Sequence, residues 1–142
     1  MPVLLQIGAG SVTLVACALF QIWVMAEMIG RLRRSPRPTE PHGVKQHFRA
    51  LALLFAVLLA CHTVHVYLWA VVLVVMGALN GYEPPIYFAL ITYTTLGYGD
   101  LTLSPDFRIF GTFAAVTGIL SFGLSTAFLV SYLSRVIATM SE

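Results

Sequence analysis

Between two long apolar runs stands a short segment of a different kind, Thr94-Thr95-Leu96-Gly97-Tyr98-Gly99-Asp100. Its residue types suit one task, the holding of a monovalent cation stripped of part of its water. Gly97 and Gly99 adopt φ > 0 without steric cost, so alternate residues can turn their carbonyls toward one line. A ring of such carbonyls, with the Thr95 hydroxyl at the inner end, can replace the hydration shell of K⁺. The competing reading is a glycine turn in an exported loop. A phosphate-binding loop is a poorer one, because no Lys-Ser or Lys-Thr pair follows the glycines.

A second grouping is His62 and His65, three residues apart and therefore on one face of a helix. Two readings stay open. Ionisable groups within a membrane are functional candidates, which favours a proton sensor. Desolvation favours the other, neutral rings hydrogen-bonded to a neighbouring helix. A metal would need further ligands, and no cysteine or acid is placed to supply them.

The surroundings of these residues decide what they can do. The chain has 142 residues, of which 58% are hydrophobic and 10% charged. A soluble domain carries roughly 25% charged residues, so this is the composition of a membrane protein. Cys17 and Cys61 both fall inside apolar runs, which argues for buried, inert thiols rather than a disulfide framework. The segments outside the apolar runs are too short to build a core of their own.

The first run, Val3 to Ile29, contains Glu27 as its only formal charge and is long enough to cross a bilayer core of about 30 Å. It lacks the basic start and the shorter apolar core of a cleaved signal, so it is expected to be retained. Gln6 and Gln21 either bond to neighbouring helices or lie at the membrane interfaces. Glu27 and Arg31 have the i, i+4 spacing of an ion pair. Residues 31–49 then hold Arg31, Arg33, Arg34, Arg37, Lys45 and Arg49, six of the 8 basic residues, and are expected to form a cytoplasmic loop. Pro36, Pro38 and Pro41 preclude a continuous helix through its middle. Anionic lipid head groups are the expected partners of this stretch; nucleic acid is not, because the patch abuts two spans.

The outer helix is expected over 50–80 and a short helix over 84–94, opened by Pro84 and Pro85 beside Glu83. That second piece cannot span. It reads as a re-entrant helix ending at mid-membrane, where its C-terminal dipole favours a cation. Residues 95–100 follow it, and a last helix is expected over 107–137. Irregular backbone at that depth is tolerated only when buried in protein or lining a pore. The fold expected is thus all-α, with three transmembrane helices, at 1–30 and within a unit spanning 50–142, plus the re-entrant helix and its loop.

The segment around Gly97 resembles the selectivity filter of the potassium-channel pore family, which reads T-V-G-Y-G-D, with Leu96 here where Val is usual. A second stretch, Thr117-Gly118-Ile119-Leu120-Ser121-Phe122-Gly123-Leu124-Ser125-Thr126, resembles the inner helix of the bacterial two-transmembrane potassium channels. The resemblance covers roughly Ala50 to Ile137. It implies a homotetramer, since the motif occurs once and a ring needs several copies. It implies a K⁺ channel of a bacterial inner membrane, with K⁺ as transported ion and no cofactor. By the same resemblance Thr95, Leu96, Gly97 and Tyr98 supply carbonyls to K⁺, and Gly99 completes the filter. Thr94, Asp100 and Tyr87 support it, the Tyr87 hydroxyl donating to Asp100. The place where the family often has an acid is Ile91. Loosened packing behind Leu96 would make a weakly selective cation channel instead, and a non-conducting regulatory subunit is the third possibility.

On the last helix Phe122, Thr126 and Val130 recur every four positions and share a face with Gly118. That face is expected to line the cavity and form the gate; the alternative is that it packs on the outer helix. Gly118 serves either as a bending point or as a packing point, whereas Gly111 and Gly123 are expected to allow close helix packing. No helix has the regularly spaced arginines of a voltage sensor, and no nucleotide- or calcium-binding domain is expected after the last helix.

Overall fold

The computed structural model describes residues 1–34 and 44–140. Four helices follow in order: α1 (Val3–Arg34), α2 (Val44–Val75), α3 (Glu83–Tyr93) and α4 (Arg108–Met140). The described residues form an all-helical protein in which Val3–Arg31, Phe48–Val75 and Arg108–Ile137 are each long and apolar enough to cross a membrane. At 11 residues α3 extends only about 16 Å, half a bilayer core.

The basic stretch departs from its expected form. Residues 31–34 continue α1 and residues 44–49 already belong to α2, so the helices run past the apolar segments on both sides. Arg and Lys are good helix formers, and an extra turn keeps the backbone hydrogen bonds of the span intact. Pro36, Pro38, Pro41 and Arg37 lie outside the described residues. The outer helix also ends earlier than expected. Gly77 has φ 72°, and the N–H groups of Gly77 and Ala78 donate to the carbonyls of Val74 and Leu73 at 2.9 Å each. That double bond to the last turn is a Schellman cap, and it stops α2 at Val75. The short helix and the inner helix lie within a few residues of their expected bounds.

Each long helix buries one stripe. On α1 the buried positions are Gln6, Gly10, Thr13, Cys17, Gln21, Met25 and Met28, at steps of three or four. This stripe lies mainly along α4 and touches α2 less, while α3 wedges between α2 and α4. The core gathers there, around Trp69, Leu73, Ala89, Tyr93, Phe110 and Ala114. Close approach depends on small residues. A Cβ on Gly10 would lie 2.6 Å from the Phe113 ring, and one on Gly111 would lie 3.2 Å from Phe88. Gly111 is therefore a packing glycine, as expected. Gly123 is not within this subunit: among the described residues nothing lies within 4 Å of a Cβ built there.

Polar side chains fasten the helices at two levels. Gln6 and Gln21, each 1% exposed, both bond to α4, the helix-bonding role among the two that the sequence left open. The Gln6 Oε1 accepts from the N–H groups of Ile109 (3.1 Å) and Phe110 (3.4 Å), so α1 caps the first turn of the inner helix. Gln21 Nε2 donates to the Ser121 carbonyl at 3.1 Å and to Ser125 Oγ at 2.8 Å, near the middle of the same helix.

Candidate functional site

The short helix α3 begins with Glu83, Pro84 and Pro85, an acid at the positive end of the dipole and two residues that lack the N–H an N-terminus leaves unpaired. Its other end unwinds in steps. The N–H of Thr94 bonds to Leu90, that of Thr95 to Thr92 and that of Gly97 to Ile91, at 2.9–3.0 Å. The Thr94 hydroxyl closes the turn by donating to the Leu90 carbonyl at 2.8 Å. Beyond it the chain is irregular as far as Asp100.

In that irregular segment every second residue has a positive φ: Thr95 at 61°, Gly97 at 51° and Gly99 at 79°. This is the alternation that the cation-holding reading requires. Two of the three positions are glycines, as the sequence suggested. Thr95 is not, and no residue-type signal marks it. A β-branched residue at positive φ is strained, and it sits at the place assigned to the innermost ion. A period of two running back from the glycines was the only available clue. Among the described residues nothing covers this segment: Thr94 through Asp100 are all exposed, Leu96 at 55% and Tyr98 at 69%.

The far end of the segment carries the expected bond. The Tyr87 hydroxyl donates to Asp100 Oδ2 at 2.6 Å, and the Leu101 N–H donates to Oδ1 at 3.1 Å. The bond to Asp100 pushes the Tyr87 hydroxyl up to about 12. The ordinary value is about 10, so the tyrosine remains a protonated donor at neutral pH. What the pair contributes is present below pH 10 and is lost as pH rises toward about 12. Ile91, 4% exposed, is part of the apolar packing behind the segment. Asp106 pairs with the Met1 amine at 2.6 Å. Among the described residues Glu27 and Arg31 do not form their expected pair, consistent with the small worth of such exposed contacts.

At the inner end α4 passes directly behind α3. A Cβ on Gly118 would stand 2.9 Å from the carbonyl carbon of Tyr93 and closer still to its oxygen. Gly118 is thus a contact point between inner helix and pore helix. Of the three residues expected on the cavity face, Phe122 is 40% exposed and Val130 58%. Its ring lies 4.6 Å from His62 and 5.4 Å from Tyr93, centroid to centroid. Thr126 and Val130 are exposed on the subunit. Val130 also borders an apolar groove shared with Phe48, Phe55 and Leu133.

The two histidines are bonded to neighbouring helices. His62 Nδ1 lies 2.8 Å and His65 Nδ1 3.0 Å from the same hydroxyl, that of Tyr93. His62 Nε2 lies 3.1 Å from Ser125 Oγ on α4. This junction was invisible in the sequence because its members are 28–104 residues apart. Among the described residues no three His, Cys, Asp or Glu side chains are grouped to hold a metal ion. Cys17 and Cys61 are free thiols, both buried.

Comparison with known proteins agrees with this architecture. Residues 52–135 match a family model described as ion channel. No curated protein matches the chain, and no solved structure does. The match starts inside α2, runs through α3 and the segment after it, and ends in α4, leaving α1 outside. Since it spans more than half of the sequence, the chain belongs to the ion-channel family.

Proposed function

We propose that this ion channel is selective for K⁺ and works as a homotetramer with one central pore. The observation that carries the reading is the positive φ at Thr95, Gly97 and Gly99, directly after a helix too short to span. With that alternation Thr95, Leu96, Gly97 and Tyr98 supply carbonyls to a dehydrated cation, the Thr95 hydroxyl adds the innermost ring, and Gly99 and Asp100 lead to the outer mouth. The C-terminal end of α3 contributes partial negative charge below them. The uncovered state of residues 94–100 supports assembly. Irregular backbone is not tolerated against lipid, so other copies must cover it, and each copy brings one strip of the ring. Four copies is the number that the resemblance implies.

In this reading K⁺ crosses passively, without a cofactor and without a catalytic residue. The exposed face of α4 with Thr126 and Val130, topped by Phe122, lines the cavity, with Gly118 packed on α3 rather than lining it, and an apolar ring at Val130 gates it by dewetting. The basic residues of 31–49 place that stretch in the cytoplasm, facing anionic lipid. The amino terminus and the outer mouth are then outside, and the carboxyl terminus inside, in a bacterial inner membrane. Mass measurement of the purified protein in nanodiscs, followed by K⁺ flux in liposomes, tests the proposal. A tetramer that passes K⁺ far better than Na⁺ supports it. A dimer or trimer as the sole assembly, or a tetramer without flux, overturns it. Equal K⁺ and Na⁺ flux identifies a weakly selective cation channel, the outcome that Leu96 would produce by loosening the packing behind the carbonyls.

A further inference from the structure

Tyr93 is held from two sides. Its backbone carbonyl abuts Gly118 of α4, and its side chain, 1% exposed, reaches α2, where two histidines share its hydroxyl. It stands two residues before Thr95, the strained residue at the inner end of the candidate filter. Whatever fixes Tyr93 therefore fixes the point from which the filter departs.

Apart from Ser121 Oγ, which also lies 3.5 Å from His65 Nδ1, the donors and acceptors around it order as one chain. Gln21 of α1 presents the same amide atom to the Ser121 carbonyl and to Ser125 Oγ, at 3.1 and 2.8 Å. A carbonyl only accepts, so that atom is nitrogen, and both of its hydrogens are used. Ser125 Oγ thus accepts from Gln21, and its own hydrogen is left to donate to His62 Nε2 at 3.1 Å. His62 then carries its proton on Nδ1 and donates to Tyr93 Oη at 2.8 Å. The Tyr93 hydrogen goes on to His65 Nδ1 at 3.0 Å. His65 in turn carries its proton on Nε2, facing Cys61 Sγ at 4.0 Å. Run in the opposite direction, the chain leaves the Ser125 hydrogen without an acceptor among the described residues. Both histidines are neutral in this arrangement. Three transmembrane helices and the pore helix are joined by it: Gln21 on α1, His62 and His65 on α2, Tyr93 on α3 and Ser125 on α4.

Gln21 has a further property. Its Oε1 is buried and receives no hydrogen bond from the described residues. An unpaired buried acceptor opposes folding, so Gln21 is a poor choice for stability alone. A leucine there would remove the unpaired oxygen together with the useful nitrogen.

We propose that Tyr93 is a positioning residue for ion conduction, and that the Gln21–Ser125–His62–Tyr93–His65 chain ties the inner end of the filter to the first helix, so that α1 tunes conduction. The proposal rests on reading residues 95–99 as the ion path. It gives α1, which lies outside the family match, a defined task.

The test uses full-length protein in liposomes, with K⁺ flux and the K⁺/Na⁺ permeability ratio measured for the parent, Tyr93→Phe, Gln21→Leu and the double variant. Tyr93→Phe removes a hydroxyl with almost no change of volume. Its expected effect is about a fivefold shift in conducting fraction or permeability ratio, the equivalent of one net hydrogen bond. Gln21→Leu shifts the same quantity in the same direction. The double variant does little more than Tyr93→Phe alone, because both break one chain. His65→Asn, which keeps an amide atom near the place of Nδ1, retains the parent's behaviour, whereas His65→Leu behaves as Tyr93→Phe does. Nitrogen NMR of labelled histidine supplies a readout independent of flux: His62 protonated on Nδ1 and His65 on Nε2, with both signals changed in Gln21→Leu. Parental flux and selectivity in Tyr93→Phe, fully additive effects in the double variant, or the opposite tautomers overturn the proposal. A parent protein that passes no K⁺, with the expected tautomers in place, overturns instead the reading of the filter and with it the conduction role of the chain.

Discussion

Adding one methyl group at Gly118 is the sharpest test of how the inner helix meets the pore helix. Alanine is normally the better helix residue, by about 1 kcal/mol. Here its Cβ would stand 2.9 Å from the Tyr93 carbonyl carbon. Carbon atoms pack at about 3.5–4.0 Å, so the two backbones must part by at least roughly 0.6 Å, and by more at the carbonyl oxygen. The obstacle is backbone, which has no rotamer to change. Overpacking of this kind costs about 1–3 kcal/mol, more than the helix gain. The displaced element is the last turn of α3, and with it Thr95. Gly118→Ala is therefore expected to lower the thermal midpoint of the assembled protein and to reduce K⁺ flux in liposomes. Gly123→Ala is the matched control: among the described residues nothing lies within 4 Å of its Cβ, so helix propensity alone acts there, and folding stability stays level or rises by up to about 1 kcal/mol. Parental flux and parental melting in Gly118→Ala would refute the contact and the reasoning built on it.

Gly99→Ala is expected to abolish selective K⁺ flux without blocking membrane insertion. The chain leaves room for the Cβ, so the cost comes from holding alanine at φ 79°, about 1–2 kcal/mol; ion flux read beside membrane fractionation checks it. Tyr87→Phe is expected to speed the decline of flux with time more than it changes the permeability ratio, since it removes the donor to Asp100 at the end of the candidate filter. Gln6→Ala leaves the Ile109 and Phe110 N–H groups without their acceptor. It is expected to cost about 1–3 kcal/mol, seen as a lower melting midpoint with little change in selectivity. Cysteines placed at 122, 126 and 130 report the cavity face. Positions 126 and 130 are expected to react with a cytoplasmic thiol reagent in open channels and to block current, and 122, screened by His62 and Tyr93, to react more slowly.

The architecture was legible where one segment carries its own signal. Long apolar runs announced three spans, the Glu83-Pro84-Pro85 start announced α3, and spaced glycines announced an unusual backbone. The Tyr87–Asp100 bond could be placed through the family resemblance, which sets a donor on the short helix against the acid that ends the motif. Elsewhere several segments act together, and single-chain reading loses them. Arg31, Arg33 and Arg34 read as loop by charge, but helix continuity carries α1 through them. Gly77 held a legible signal that apolar content hid: it is the left-handed residue of the cap that ends α2. Gln6 and Gln21 were undecided because their partners lie 99–104 residues away. Tyr93 drew no attention at all. A tyrosine in an apolar helix is unremarkable until two histidines of another helix converge on its hydroxyl.

The most direct measurement is the reversal potential of the purified protein in planar bilayers under opposed K⁺ and Na⁺ gradients. If residues 95–99 form a carbonyl-lined K⁺ path, the current reverses close to the K⁺ equilibrium potential and follows it as K⁺ is varied. A reversal potential that ignores the K⁺ gradient, or that weighs Na⁺ equally, would contradict the account.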